Sequence, residues 1–157
     1  MYFEPGGVAA YPQALRAILD AELIIAGPGS LFTSVLPNLL VDDILRAIRA
    51  SSATKVYVCN VATQPGETEG FSLDDHVRAI ERHAGEEVFP FVLANNNSDY
   101  PLPSNWNLSP VSVEFPQNAT YQVIAADVVD EQHPWRHDPT KLAYVLMMWY
   151  QKQIESR

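Results

Sequence analysis

Three polar clusters carry residue types able to hold or transform a small molecule. The first is Gly27-Pro28-Gly29-Ser30, followed by Thr33, Ser34 and Asn38. Glycines let a ligand approach the backbone closely, because no side chain intervenes. A Gly-rich turn between a strand and a helix also exposes main-chain N–H groups at the positive end of the helix dipole. Such a turn suits an anion, most often a phosphate. Thr33 and Ser34 have a second reading as caps of the following helix. Asn38 has one as a loop brace bonded to backbone. The segment matches neither the Walker pattern nor the dinucleotide fingerprint. The second cluster is Asn60, Thr63, Gln64 and Glu67. Amides offer both donor and acceptor, so this cluster fits a ring edge or a ribose. Glu67 fits a sugar hydroxyl or a loop cap. The third is Arg136, just ahead of Asp138-Pro139. Its planar fork can grip two phosphate oxygens at once, and the competing role is an ion pair with Asp138 or Asp130. No spacing nominates a nucleophile, a carboxylate pair, a Cys/His cluster or a Ser-His-Asp arrangement.

The elements that must position these clusters follow from hydrophobic periodicity. Leu23 to Ala26 is a short apolar run, expected as a strand covered on both faces and central to its sheet. Pro12 to Asp20 reads as a helix with Leu15, Ile18 and Leu19 on one face. The helical stretch after Ser30 is expected to break near Pro37. Asp42-Asp43 then opens a helix, their charges suiting its first turn. Lys55 to Val61 is a second strand, with Asn60, Thr63 and Gln64 at its end. Ser72 caps a helix through His83, with Asp75 at the capping-box position and Gly85 as its stop. Val88 to Ala94 is a third strand, irregular at Pro90 and ending in Asn95-Asn96-Asn97. Asp99 to Asn118 shows no helix, although Val111 to Phe115 alternates like a strand. Tyr121 to Ala126 is the last strand. Asp138 caps a final helix with Pro139 in its first turn and a buried stripe of Leu142, Val145, Leu146 and Trp149. Alternation of strand and helix predicts an α/β fold: a three-layer, doubly wound, mostly parallel, Rossmann-like sheet. Ligands of such sheets sit beyond the carboxyl ends of the strands, where the polar turns after the first three strands, the third of them Asn95-Asn96-Asn97, should converge.

Gly27-Pro28-Gly29-Ser30-Leu31-Phe32-Thr33-Ser34-Val35-Leu36-Pro37-Asn38 resembles the signature of the CofD/YvcK-like family, with Phe32 where that pattern usually has Tyr. Val56-Tyr57-Val58-Cys59-Asn60, Thr63-Gln64-Pro65-Gly66-Glu67-Thr68, Asp75-His76-Val77 and Arg136-His137-Asp138-Pro139 resemble further motifs in the same order. The family holds the 2-phospho-L-lactate transferases of deazaflavin coenzyme biosynthesis. It also holds the bacterial gluconeogenesis factors, which act as sugar-nucleotide-binding regulators of growth and cell shape. The run Gln64 to Thr68 favours the second branch. The resemblance therefore implies a nucleotide-sugar or another phosphorylated small molecule as ligand, held by Gly27, Gly29, Ser30, Thr33, Ser34, Asn38, Asn60, Thr63, Gln64, Glu67 and Arg136. The regulator branch implies no catalytic residue and no cofactor. The transferase alternative implies Mg²⁺ in an acidic cradle, for which Asp127 and Asp130 are the candidates. Family members open with a strand and a Gly-Gly-Gly-Thr-Gly turn that helps bind the nucleotide, and nothing here matches it. The chain thus corresponds to the family's C-terminal half, and residues 1–157 form one α/β domain without the N-terminal nucleotide-binding half. Such a half-fold is expected to leave an apolar sheet edge and face uncovered, a site for a second copy or for a complementing N-terminal half.

Composition narrows the partners. The 157 residues are 47% hydrophobic, enough for a core, and carry a formal charge of −9. That charge argues against nucleic acid or an anionic membrane surface as partner. Any phosphate site must then be built locally, from backbone N–H groups and a few cations. One cysteine, Cys59, excludes an internal disulfide and reads as a buried, inert thiol in an apolar strand. No signal peptide and no apolar run near membrane-spanning length is present, which predicts a cytoplasmic chain without membrane insertion.

Overall fold

The computed structural model describes residues 1–2, 4, 6–114 and 119–156. Phe115 and Asn118, which bound expectations above, lie outside the described residues. The elements follow in order as α1 (Pro12–Leu19), β1 (Leu23–Ala26), a π-helical turn (Leu31–Val35), α2 (Leu36–Leu39), α3 (Asp42–Ala50), β2 (Thr54–Val58), α4 (Leu73–Ala84), β3 (Phe91–Asn95), β4 (Gln122–Ala126) and α5 (Pro139–Glu155). The four strands make one parallel sheet in the order β1-β2-β3-β4.

Alternation along the strands divides the core into two layers. Ile24, Tyr57, Cys59, Val92 and Ala94 face one side, where they meet α4, the π-turn and the apolar faces of α1 and α3. Val56, Val58, Leu93 and Ile124 face the other side, where α5 lays Leu142, Val145, Leu146 and Trp149 across them. Helices thus cover both faces of a parallel sheet, as expected for α/β architecture.

Two expectations need correction. The Leu23–Ala26 strand is not central: it is the edge of the described sheet, pairing only with β2. Its Ile25 is 44% exposed. A four-residue apolar run has the same composition whether one neighbour or two flank it, so periodicity alone could not decide. The alternating segment from Val111 is no strand of the sheet either. It lies over the end of β2, with Val111 donating its N–H to Val61 O, Ser112 O accepting from Leu73 N–H, and an isolated antiparallel bridge joining Ala62 to Pro110.

The break near Pro37 takes a specific form. Val35 N–H bonds Ser30 O and Leu36 N–H bonds Leu31 O, both five residues back. The chain passes into α2 at Leu36, with Pro37 in its first turn, where a missing N–H costs nothing. The segment after the glycines is thus a five-residue π-turn and a four-residue helix. The helical stretch directly behind the turn is therefore short.

A cleft at the strand ends

Parallel strands bring the ends of β1, β2 and β3 to one edge of the sheet. Beyond β1 and β2 lies an open cleft of about 370 Å³. Gly29 and Ser30 border it from the first turn; Asn60, Thr63, Gln64 and Glu67 border it from the second. The structure therefore joins two sequence clusters about thirty residues apart. The third turn does not join them. Asn95 and Asn96 border a separate hollow with Val111 and Val113.

Each cleft residue is held by local bonding. Ser30 Oγ donates to Glu67 Oε2 at 2.5 Å and accepts from Thr33 N–H at 3.1 Å and Thr33 Oγ1 at 2.5 Å. Ser30 is thus the cap of the π-turn and a strut between the two turns, and Thr33 is spent in supporting it. The turn from Gln64 to Thr68 closes on itself: Gln64 N–H donates to the buried Thr68 hydroxyl, and Gln64 O accepts from Thr68 N–H. Asn60 Nδ2 donates to Gln64 Oε1 at 3.2 Å, so the two amides form one polar ledge. Thr63 is buried and exchanges two bonds with Ser109, its N–H to Ser109 O and Ser109 N–H to its Oγ1. Its role is to suspend the loop that precedes Ser109.

That loop supplies what sequence reasoning missed. Trp106 and Leu108 line the cleft, and so does Trp135 from the loop before α5. The two indoles meet at 4.7 Å between centroids, tilted by 58°, and His133 abuts Trp135 edge-on. A tryptophan inside a Pro-, Asn- and Ser-rich segment has no periodic face to fill, and that was the available signal. Trp135 sits beside the Arg136-His137 motif, which drew attention to its neighbours instead.

The remaining expected residues fall elsewhere. Gly27, Ser34 and Asn38 border an apolar groove on the other side of the Gly-rich turn, together with Ile18, Ile24 and Phe89. Asn38 Nδ2 donates to Ser34 O at 2.6 Å, bracing its own helix. Arg136 is exposed and is not among the residues lining the cleft. Its ion-pair alternative is not realised either. Asp138 accepts from the N–H groups of Thr140 and Lys141, capping α5, and Asp130 accepts from Gln132 and His133. His137, not Arg136, turns inward, its Nε2 lying 3.1 Å from Cys59 O at the end of β2. Burial holds the His137 imidazole below its ordinary range and pushes the Cys59 thiol up to about 12, which keeps that thiol protonated and inert.

The acidic candidates for Mg²⁺ do not form a cradle. Asp127 is bonded to Lys141 Nζ at 3.1 Å, and Lys141 also reaches Val129 O. Lys141 and Asn97 hold the Asp127 carboxyl below its usual range against the opposing effect of burial. Asp130 is occupied by backbone N–H groups. Among the described residues no three His, Cys, Asp or Glu side chains converge as a metal site. A divalent cation does not fit these carboxylates as they stand.

The four-stranded parallel sheet with helices on both faces is of the α/β class, and its polar, tryptophan-walled cleft lies at the carboxyl edge of the strands, the place where such sheets hold ligands. More narrowly, the chain belongs to the family whose model is described as 2-phospho-L-lactate transferase CofD, which matches residues 1–143. It is 43% identical over 159 residues to the "Putative gluconeogenesis factor" of Nostoc sp. (strain PCC 7120), covering 93% of this chain and 34% of the relative. It is 41% identical to the protein of the same name from Deinococcus radiodurans, covering 93% of this chain and 32% of that one. A crystal structure of a UPF0052 family member from Bacillus halodurans superposes with a TM-score of 0.76 at 36% identity, over 88% of this chain and 46% of that one. A second crystal structure from Bacillus halodurans gives 0.80 at 35% identity. The chain thus spans about a third of the two named relatives and just under half of the crystallised chain.

Proposed function

We propose that this chain carries the ligand cleft of a sugar-nucleotide-binding regulator, one that binds a uridine diphospho-sugar without transforming it and thereby reports on carbon metabolism and cell shape. The observation that carries this reading is the cleft itself. It offers amides, a carboxylate and indoles, which are binding groups. Its one hydroxyl next to a carboxylate, Ser30, is already fixed as a helix cap. The gluconeogenesis-factor names of relatives above 40% identity agree with it. The rival reading is a phospholactyl transferase acting on a deazaflavin hydroxyl, favoured by the description of the matching family model.

Equilibrium binding separates the two. The chain is titrated calorimetrically with uridine diphospho-sugars and with guanosine-linked donors, and each mixture is then analysed for turnover. Binding of a uridine diphospho-sugar, recovered intact, is the expected result. Affinity should be weaker than micromolar, since the chain spans only part of its relatives. Consumption of a guanosine-linked donor in the presence of a deazaflavin acceptor would install the transferase instead.

A further inference from the structure

We propose that the cleft is a glycosyl subsite: it takes the neutral, polyhydroxylated ring of the ligand against the Trp106–Trp135 wall, and the phosphates lie outside it. The proposal rests on the sugar-nucleotide reading above and assigns its parts to places.

Charge is the first argument. Among the described residues lining the cleft the only ionisable side chain is the Glu67 carboxylate, and Arg136 stands outside. A phosphate placed there would meet a like charge with no cation to offset it, in a partly desolvated site where such repulsion is strong. The Ser30 hydroxyl is no compensation, because its proton is given to Glu67 and its lone pairs receive Thr33. A neutral ring meets no such conflict.

Bonding capacity is the second. Glu67 Oε2 takes Ser30, which leaves Oε1 able to accept from a ligand hydroxyl. Asn60 gives one amide proton to Gln64 and keeps its carbonyl, while Gln64 keeps its NH₂. The ledge therefore presents acceptors and donors side by side, the pattern that adjacent hydroxyls satisfy as simultaneous donors and acceptors.

Shape is the third. Trp106 is 47% exposed despite its contact with Trp135. The negative faces of indoles attract the weakly positive C–H groups of a sugar ring. Two rings inclined at 58° form a corner rather than a parallel slot. A puckered chair can touch both planes of a corner, whereas a flat nucleobase stacks on one of them.

The test uses the indoles as reporters. The chain has three tryptophans, and Trp149 packs edge-on against Phe91 in the core under α5. Trp149→Phe keeps an aromatic ring there and leaves only the cleft indoles to fluoresce. This protein is titrated with methyl glycosides of common hexoses and N-acetylhexosamines, with uridine and with inorganic pyrophosphate. Saturation-transfer NMR from the indole protons is recorded in parallel. We expect at least one glycoside to shift the fluorescence saturably at millimolar concentration. Pyrophosphate should neither shift it nor compete. Trp106→Ala and Trp135→Ala should each weaken the response about tenfold, the scale of losing one well-packed aromatic contact. Trp106→Phe should retain most of the response, and the melting temperature of each variant checks that the loop still folds. A response to uridine but to no glycoside would assign the wall to the base and overturn the proposal, as would competition by pyrophosphate. Calorimetric binding of a sugar nucleotide with no glycoside response would overturn the proposal and leave the regulator reading standing. A glycoside response without any sugar-nucleotide binding would sink the regulator reading and uphold the subsite.

Discussion

Gly27 and Gly29 look equivalent in the sequence and are not equivalent in the fold. Gly27 has φ +88°, and a Cβ there would lie 2.7 Å from the carbonyl oxygen of Val58. That oxygen belongs to the backbone of β2 and cannot yield without moving the strand. Gly29 has an ordinary φ, and its Cβ would meet Ser34 Cβ at 3.4 Å. Gly27→Ala should therefore lower stability by about 2–4 kcal/mol in urea unfolding, and Gly29→Ala should change it by less than about 0.5 kcal/mol. Gly29 is the one that borders the cleft, so a bulkier Gly29→Val belongs to binding assays. Arg136 invites a comparable separation. Its guanidinium is in no ion pair with Asp130 or Asp138, both of which are engaged elsewhere. Arg136→Ala should leave the melting temperature unchanged. If Arg136 supplies the cation for a diphosphate lying outside the cleft, affinity for a sugar nucleotide should fall by roughly 1.5–3 kcal/mol, the range for a charge-assisted hydrogen bond. A lowered melting temperature with unchanged affinity would return Arg136 to a structural role.

At the scale of the element, α4 shows how a local signal is honoured and what it carries inward. Ser72 Oγ accepts from Asp75 N–H at 3.2 Å, and Asp75 Oδ2 accepts from Ser72 N–H at 2.9 Å, a complete capping box. Ser72→Ala should cost about 1 kcal/mol of stability. One residue further on, His76 is fully buried, with Nδ1 2.8 Å from Ser72 O and Nε2 buried without a partner. Nδ1 therefore carries the proton of a neutral ring. Burial lowers the His76 pKa below its ordinary 6.5, opposed by Ser72 O and by the neighbouring Asp75 carboxylate. His137 is shifted the same way by burial. A histidine whose folded pKa is depressed binds its proton more readily in the unfolded chain. Its contribution to stability is complete above the unfolded value and declines as pH falls through and below 6.5. The carboxylates with lowered pKa, Asp75 and Asp127 among them, lose theirs only below their usual 3.8. Unfolding free energy should thus drop between pH 7 and 5. His76→Asn, which keeps a donor for Ser72 O but cannot titrate, should flatten that slope. A slope identical to that of the parent would show that His76 does not titrate on unfolding.

Among the described residues the sheet is covered by helices on both faces and ends in two edge strands, β1 and β4. β1 has a free edge, Ile25 is exposed on it, and α5 turns Tyr144, Met147 and Ile154 outward on the face it covers. Unpaired strand edges with apolar side chains tend to recruit another strand. The chain should therefore associate in a concentration-dependent manner in sedimentation experiments, and Ile25→Lys should shift it toward monomer, since a charge on an edge opposes pairing. Unaltered monomeric behaviour of the parent chain across the accessible concentration range would refute this.

Much of this architecture was legible in the chain. The apolar runs marked all four strands, and the Ser72-Asp75 and Asp138-Pro139 signals placed the starts of α4 and α5, because caps and periodicity are properties of neighbouring residues. The polar turns could be assigned to strand ends, and two of them meet in the cleft because parallel strands put their carboxyl ends together. What neighbours in sequence cannot encode was decided by the tertiary structure. Leu23–Ala26 became an edge rather than a centre, since strand order depends on which segments pack across a distance. Asn38 and Ser34 border the apolar groove rather than the cleft, Asn38 bonded to Ser34 O within its own helical stretch. Trp106 and Trp135, 29 residues apart in the chain, became one wall only because Thr63 holds the Ser109 loop over β2 and His137 anchors the other loop to the end of the same strand.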